Sequence, residues 1–339
     1  MEIPGGPTPG EGSRADDEAL RRWLQSSLLG RPDPAPEIVS LQRRPVAEDT
    51  SYPCEIITMT LAGGATTEIF LKTFGRPESP SDDISLRYER ELRVYRDVLE
   101  GANLGTPSFR GSLRSPERSW LALEFVPGDR LHWRDSTLFI AAAAWLARMQ
   151  AHFTAHPEHL GETSFLIRHD TAFFRFHADE ALHAVSQLSP VLAERLAQVL
   201  EDYDRNIEVM TREPATLIHG SFSKHDILVE TSADPPRLCP IDWEQAGLGS
   251  PFYDLAFLTD GWKPPTLDRM WDAYRDEFAR HRLDRPNWDR LHLLVPCFRL
   301  HKILMTLGKS SARGFNEAAV GKLVETAWRL RRALAGDYS

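Results

Sequence analysis

The chain has 339 residues, 42% of them apolar, and a formal net charge of -9. The length exceeds one compact core and suits two lobes. The acidic balance excludes a nucleic-acid surface as the main partner, because phosphate binding needs a concentrated basic face, and no apolar run approaches the ~18 residues of a membrane span.

The N-terminus, MEIPGGPTPGEGSRADDE, is polar and rich in Gly and Pro. It has no apolar h-region and is no signal peptide, so residues 1–15 are expected to form a disordered tail. A first helix is predicted over Asp16–Leu28, with Leu20, Trp23, Leu24 and Leu28 on one face and Gly30 as its stop. Pro32, Pro34 and Pro36 make a stiff linker. Strand patterns follow at Ile38–Arg43, Glu55–Leu61 and Thr67–Phe74, the last two joined by a turn at Ala62-Gly63-Gly64. A helix over Ile84–Leu99, ended by Gly101, carries Tyr88, Leu92, Tyr95 and Leu99 at helical spacing. Two strands bracket Arg110–Glu124, with a turn at Arg114–Glu117, and Val126-Pro127-Gly128 breaks the pattern. Residues 16–125 thus read as a small β-rich lobe and 126–339 as a larger helical one.

In the second part, Leu138–Phe153 reads as a buried helix with Ser136 as N-cap. One or two helices lie within Asp179–Met210. Short strands at Thr216–Ile218 and Leu238–Ile241 flank a polar loop, and helices return from Asp254. Cys54, Cys239 and Cys297 are far apart, odd in number and without CxxC spacing. That argues against a zinc site or a disulfide framework and fits a reducing, cytoplasmic setting.

Four features carry chemistry. Lys72 lies within the apolar strand Ile69-Phe70-Leu71-Lys72-Thr73-Phe74, where a lysine is usually an edge or outward residue. Glu91 borders the apolar face of its helix, where a carboxylate needs a partner. The loop His219-Gly220-Ser221-Phe222-Ser223-Lys224-His225-Asp226 sits between two strand patterns. Asp242, in Ile241-Asp242-Trp243-Glu244, ends another, and a carboxylate there beside a second oxygen ligand suits Mg2+.

With Gly247, Gly249, Pro251 and Tyr253-Asp254-Leu255-Ala256 following Asp242, these features resemble the aminoglycoside phosphotransferase and choline kinase family over Ile38–Leu334. The resemblance implies an α+β, bilobal protein-kinase-like fold: a small antiparallel-sheet N-lobe with one main helix, and a larger, mostly helical C-lobe. It implies ATP or GTP with Mg2+ as cofactors. Lys72 would touch the nucleotide phosphates and Glu91 would orient it, while Asp242 would hold the metal. Asp254 would brace the loop, and His219 would be structural. Leu123-Glu124-Phe125-Val126-Pro127-Gly128 resembles the family's hinge, so backbone groups at Glu124 and Val126 would hold the base. Phe165-Leu166-Ile167-Arg168-His169-Asp170 resembles, more weakly, a branch among bacterial antibiotic-pathway proteins.

The family loop reads His-Gly-Asp with an asparagine five residues after the aspartate. Here Ser221 stands at the aspartate position and Asp226 at the asparagine position. Serine cannot accept a proton at neutral pH, and positioned general-base catalysis is worth roughly 10²–10⁴ in rate. Asp226 adds a carboxylate beside Asp242, as a metal ligand or a displaced base, and Lys224 is placed to neutralise phosphate. Val46–Pro53 lacks the glycine of a phosphate loop, leaving Thr50 or Ser51 to contact phosphate. Two readings stand: an atypical ATP/Mg-dependent phosphotransferase acting on a hydroxyl of a small molecule, antibiotic or peptide, or a pseudokinase that binds nucleotide or scaffolds a protein partner. Trp262, Asp254 and Asp260 are acceptor-site candidates by position.

Overall fold

The computed structural model describes residues 11–28, 37–46, 52–75, 83–115, 118–132, 135–281 and 290–337. The chain divides into two compact units. The first comprises Met1–Arg96 and Pro107–Pro127, and the second Asp97–Thr106 and Gly128–Ser339. A short segment, 97–106, thus belongs with the second unit.

The first unit opens with α1 (Glu11–Leu28). This helix begins ahead of the expected Asp16, so residues 11–15 are helical rather than part of a tail. Residues 1–10, the Pro-rich linker, and Thr50 and Ser51 lie outside the described residues. β1 (Ile38–Pro45), β2 (Cys54–Leu61), β3 (Thr66–Phe74), β4 (Phe109–Arg114) and β5 (Ser119–Glu124) form an antiparallel sheet in the order β1-β2-β3-β5-β4. Alternation on the central strand β3 decides what each face carries. Ile69 and Leu71 join Ile57, Met59, Trp120 and Ala122 in a core with Leu20, Trp23 and Leu24 of α1. Lys72 and Phe74 point the other way. There Phe74 packs edge-on against Tyr88 of α2 (Ile84–Arg93), with ring centroids 5.1 Å apart. The helical path continues from α2 as a wider π-helical stretch, Val94–Leu99, and the expected stripe of Tyr88, Leu92, Tyr95 and Leu99 is buried.

The second unit is mostly helical. β6 (Asp129–Arg130) is followed by α3 (Ser136–Ala155), whose N-cap is Asp135 rather than the expected Ser136: the Asp135 carboxylate accepts the Leu138 N–H at 3.1 Å. After β7 (Ile167–Arg168) come α4 (Thr171–Leu188), α5 (Pro190–Leu200) and α6 (Tyr203–Met210), more helices than the sequence reading placed there. Pro190 starts a helix at its first position, where a missing N–H costs nothing, which is why one long apolar pattern is cut in two. β8 (Thr216–Ile218), β9 (Ile227–Glu230), β10 (Arg237–Pro240) and β11 (Gly247–Gly249) form two small sheets, β10-β9-β6 and β7-β11-β8. α7 (Phe252–Leu258), α8 (Thr266–Arg280), α9 (Leu291–Gly308) and α10 (Glu317–Asp337) complete the unit. Cys54, Cys239 and Cys297 are buried and not joined in a disulfide. No helix among the described residues is long and apolar enough to cross a membrane.

Buried histidines give the second unit an acid-sensitive core. His301 of α9 sits among Phe173, Phe174 and His177 and meets the Tyr203 hydroxyl at 3.0 Å. Burial, with His177 and His169 nearby, holds it well below the ordinary imidazole value, and burial likewise holds His169 at about 3. Such rings stay neutral in the fold but gain protons in the unfolded chain below about pH 6.5, so their contribution to stability is lost as pH falls through that range. Asp226 and Asp254, lifted to about 7 chiefly by burial, act in the opposite sense and remove stability as pH rises towards 7. The test is thus a difference. Between pH 7 and pH 5, His301→Gln should lose less stability in urea titrations than wild type, by up to about 1.4 kcal/mol per pH unit. Parallel pH profiles would contradict a neutral buried His301.

Candidate active site

In the first unit the site is built on one strand and one helix. Lys72 is not an edge residue: it lies on the central strand, paired with Cys54 on one side and Leu121 on the other, and is 7% exposed. Its ammonium stands 2.7 Å from the carboxylate of Glu91, itself 1% exposed. The Tyr52 and Phe74 ring centroids each lie 5.1 Å from Nζ, so aromatic faces solvate the charge that water does not. Glu124 ends β5; its N–H donates to the Ser108 carbonyl, and its carboxylate accepts from the Ser108 N–H at 3.0 Å and hydroxyl at 2.8 Å. Val126 is buried.

In the second unit, the loop from His219 to Asp226 leaves β8 and is held from beneath. Asp254 of α7, fully buried, accepts the His219 N–H at 2.6 Å and the Gly220 N–H at 3.0 Å. Gly220 takes a φ of +85°, and a Cβ there would run into the Gln245 carbonyl, so both backbone conformation and space demand glycine. The His219 ring lies against Trp243, centroids 4.5 Å apart, and its Nε2 meets the Ile241 carbonyl at 2.9 Å. A carbonyl only accepts, so Nε2 carries the proton. Nδ1 is then an acceptor, and the Ser221 hydroxyl, 3.3 Å away, donates to it. Burial keeps His219 neutral, at about 4.

Asp226 closes the loop in a short 3₁₀ turn, Lys224–Asp226, capped by Ser223. The Ser223 hydroxyl donates to Asp226 at 2.8 Å, and the Asp226 carbonyl accepts the Ile241 N–H at 2.8 Å, which ties the loop to the segment bearing Asp242. Burial, together with the charge of Asp242, lifts Asp226 to about 7, while the Ser223 hydroxyl and the field of Arg130 act against the shift. Asp242 has a φ of +66°, an uncommon left-handed conformation for a non-glycine residue that costs of order 1–3 kcal/mol. Lys224 is half-buried.

Two carboxylates within one another's field are oxygen donors of the kind a hard divalent cation takes. Arg130 and Ser223 are participants that the sequence reading missed. Arg130 donates to the His225 carbonyl from far along the chain, and nothing in local spacing announces it. Ser223 was legible as a serine three residues before an aspartate, a local capping pattern. The acceptor-site candidates fare differently. Asp254 is consumed by the loop backbone, and Asp260 is held by Lys302 at 3.1 Å and Arg299 at 3.7 Å, so neither offers a free carboxylate to a cationic acceptor. Trp262 packs edge-on against Phe139.

The Lys72–Glu91 pair gives a direct prediction. Lys72→Met leaves Glu91 buried without the lysine's charge and should cost about 3–5 kcal/mol of stability in chemical denaturation. Lys72→Met/Glu91→Leu removes both charges and should recover most of that loss. Equal losses in the two variants would contradict the pairing.

The sequence model of the phosphotransferase enzyme family matches residues 76–294, well over half of the chain. No curated protein matches the sequence. Among solved structures, a choline kinase from Cryptosporidium parvum superposes with a TM-score of 0.60 at 11% identity, covering 94% of this chain and 96% of the other. The GDP complex of an aminoglycoside 2'-phosphotransferase of type IIIa gives 0.59 at 16%, covering 94% and 99%. A macrolide 2'-phosphotransferase from Brachybacterium faecium gives 0.57 at 18%, covering 92% and 97%. At these identities the likeness is one of fold, and the fold is protein-kinase-like. With the sequence match spanning the Glu91 helix, the His219–Asp226 loop and Asp242, the chain belongs to the phosphotransferase enzyme family.

Proposed function

We propose that this chain transfers a phosphoryl group from ATP or GTP to a hydroxyl of a small molecule, with Mg2+ held by Asp226 and Asp242. The observation that carries the reading is the placement of Asp226. Its loop is pinned to the Asp242 segment by the Asp226 carbonyl and the Ile241 N–H, and the proximity of Asp242 helps raise its proton affinity. Two acidic groups so arranged are relieved by a divalent cation, which takes carboxylate oxygens as ligands. Mg2+ in that position would neutralise charge on the phosphates. Lys72, fixed by Glu91, would hold the nucleotide phosphates, and Lys224 would add positive charge near the transferred group. Backbone groups at Glu124 and Val126 would receive the base.

Ser221 makes the enzyme atypical. Its hydroxyl is donated to His219, so its oxygen is left to accept a hydrogen bond from an acceptor alcohol, a positioning role rather than a basic one. Phosphoryl transfer runs through a loose transition state in which positioning and charge neutralisation dominate, so loss of a carboxylate base slows the reaction without abolishing it. Small-molecule alcohols are the favoured acceptors because related folds have been solved with hygromycin B and with kanamycin, and another is an aminopropanol kinase. Ser221 is also the one observation that favours the second reading, a pseudokinase that binds nucleotide, or none, in support of a protein partner.

Thermal unfolding with ATP or GTP divides these. On the enzyme reading, nucleotide with Mg2+ stabilises the native state, by about 2.7 kcal/mol at one hundred times Kd, and Asp242→Ala removes the Mg2+-dependent part. Nucleotide diphosphate release with an aminoglycoside or amino-alcohol panel then completes the test. Stabilisation without transfer to any acceptor would favour the pseudokinase, and no shift with either nucleotide would sink nucleotide binding altogether. In an active enzyme, Ser221→Asp should raise turnover, by up to about 10²–10⁴. A loss of turnover instead would mean that the serine itself has become necessary.

A further inference from the structure

A second donor cluster lies at the far end of α3 and shares no residue with the site above. His152 occupies the last turn of this helix and His156 caps it, four residues apart and therefore on one face. Pro157 ends the helix and starts a 3₁₀ turn, Pro157–Leu160, which Gly161 closes at a φ of +58°. That turn folds Glu158 and His159 back towards the helix face. The ligating atoms of His156, Glu158 and His159 all lie within 4.8 Å of one another. His156 Nδ1 is 3.2 Å from the Glu158 carboxylate, and His159 Nδ1 is 3.2 Å from His152 Nε2. The His156 and His159 rings are stacked at 4.9 Å, and the His152 ring is 5.2 Å from His159 and 5.5 Å from His156.

Three imidazoles brought this close are an awkward set for a bare surface. The His152–His159 contact can share only one proton, and charging both rings would set two cations against each other. Glu158 supplies the carboxylate of the cluster, while Glu277 of α8 is engaged by Arg148 at 3.0 Å and by Arg280. A metal ion accepting lone pairs from His156, Glu158 and His159 relieves the crowding. Tetrahedral zinc, with bonds of about 2.0–2.2 Å, places its ligand atoms about 3.3–3.6 Å apart, within the spread seen here. Imidazole-rich sites choose zinc, nickel or copper over magnesium. The C-terminal end of a helix, where the unpaired carbonyls carry negative partial charge, adds to the attraction. His156, Glu158 and His159 are exposed, so an ion has free entry.

We propose that His156, Glu158 and His159 bind one divalent cation of the zinc class and thereby clip the C-terminal cap of α3 to the turn that follows it. The test uses the full chain without a histidine tag, freed of metal by chelator and then of the chelator. Zn2+ titrated by calorimetry should bind with a stoichiometry of one and raise the melting temperature, and Co2+ should show the intense visible absorption of a tetrahedral site. His156→Gln/His159→Gln should weaken Zn2+ by at least about 100-fold, since losing even a supporting partner of a metal ligand costs 10–100-fold. Both residues are exposed, so the metal-free variant should melt with wild type, which separates lost binding from lost folding. Asp242→Ala should leave Zn2+ affinity unchanged. The proposal is overturned if wild type does not bind Zn2+, if the double variant binds as tightly as wild type, or if Asp242→Ala removes binding and so reassigns the ion to the carboxylate site.

Discussion

The candidate site in the second unit depends on one buried carboxylate. Asp254 has no exposure to water and spends its oxygens on the backbone N–H groups of His219 and Gly220. Those groups open a loop that cannot be helix or strand, because Gly220 is left-handed and crowded by Gln245. Without acceptors they would be orphaned, and a buried unsatisfied N–H costs as much as a lost hydrogen bond. Once the loop's entry is fixed, the remaining geometry follows by short steps. His219 is clamped between Trp243 and the Ile241 carbonyl, its tautomer is set, and the Ser221 hydroxyl is aimed by that tautomer.

The same chain of constraints leaves the geometry of the loop independent of the Ser221 side chain. Ser221 is held lightly: among the described residues its side chain makes one weak hydrogen bond, of 3.3 Å, to His219. The scaffold rests on Asp254, Gly220 and the Ser223 cap, and the chemistry is added at positions the scaffold tolerates being changed. Asp226 is the opposite case. Its backbone carbonyl accepts the Ile241 N–H and its carboxylate accepts the Ser223 hydroxyl at 2.8 Å, so both ends of the residue are tied into the loop.

Much of this was legible in the sequence, for a physical reason. The strand and helix patterns of the first unit follow from period-two and helical alternation around Ile69, Leu71, Tyr88 and Leu92, whereas the Lys72–Glu91 pairing was legible only through the resemblance to a strand lysine and helix glutamate of the kinase-like pattern. The loop from His219 to Asp242 was legible through its residue order. What escaped were features decided by tertiary contact or by end effects: the capping of α3 by Asp135 instead of its serine neighbour, the early start of α1, the division of the α4–α6 region at Pro190, and the long-range approach of Arg130 to His225. The pairing of exposed Asp260 with Lys302 and Arg299 also could not be read, since those residues lie on α9, far along the chain. The imidazoles at the end of α3 were hidden differently, because their convergence needs the 3₁₀ turn after Pro157 and not merely their spacing.

The path of the polypeptide carries one more consequence. Residues 97–106 leave the first unit, join the second, and the chain then returns to build β4 and β5. The excursion is anchored: Arg237 and Cys239 of β10 both bond the Gly105 carbonyl, and the Trp145 indole bonds that of Leu104. The polypeptide therefore passes between units three times, and neither unit is a contiguous stretch of code. A genetic cut at 127/128 would strip the helical unit of a strip of its own wall and leave that strip dangling from the other piece. A protein wired this way does not separate into its two units at any single cut of its gene.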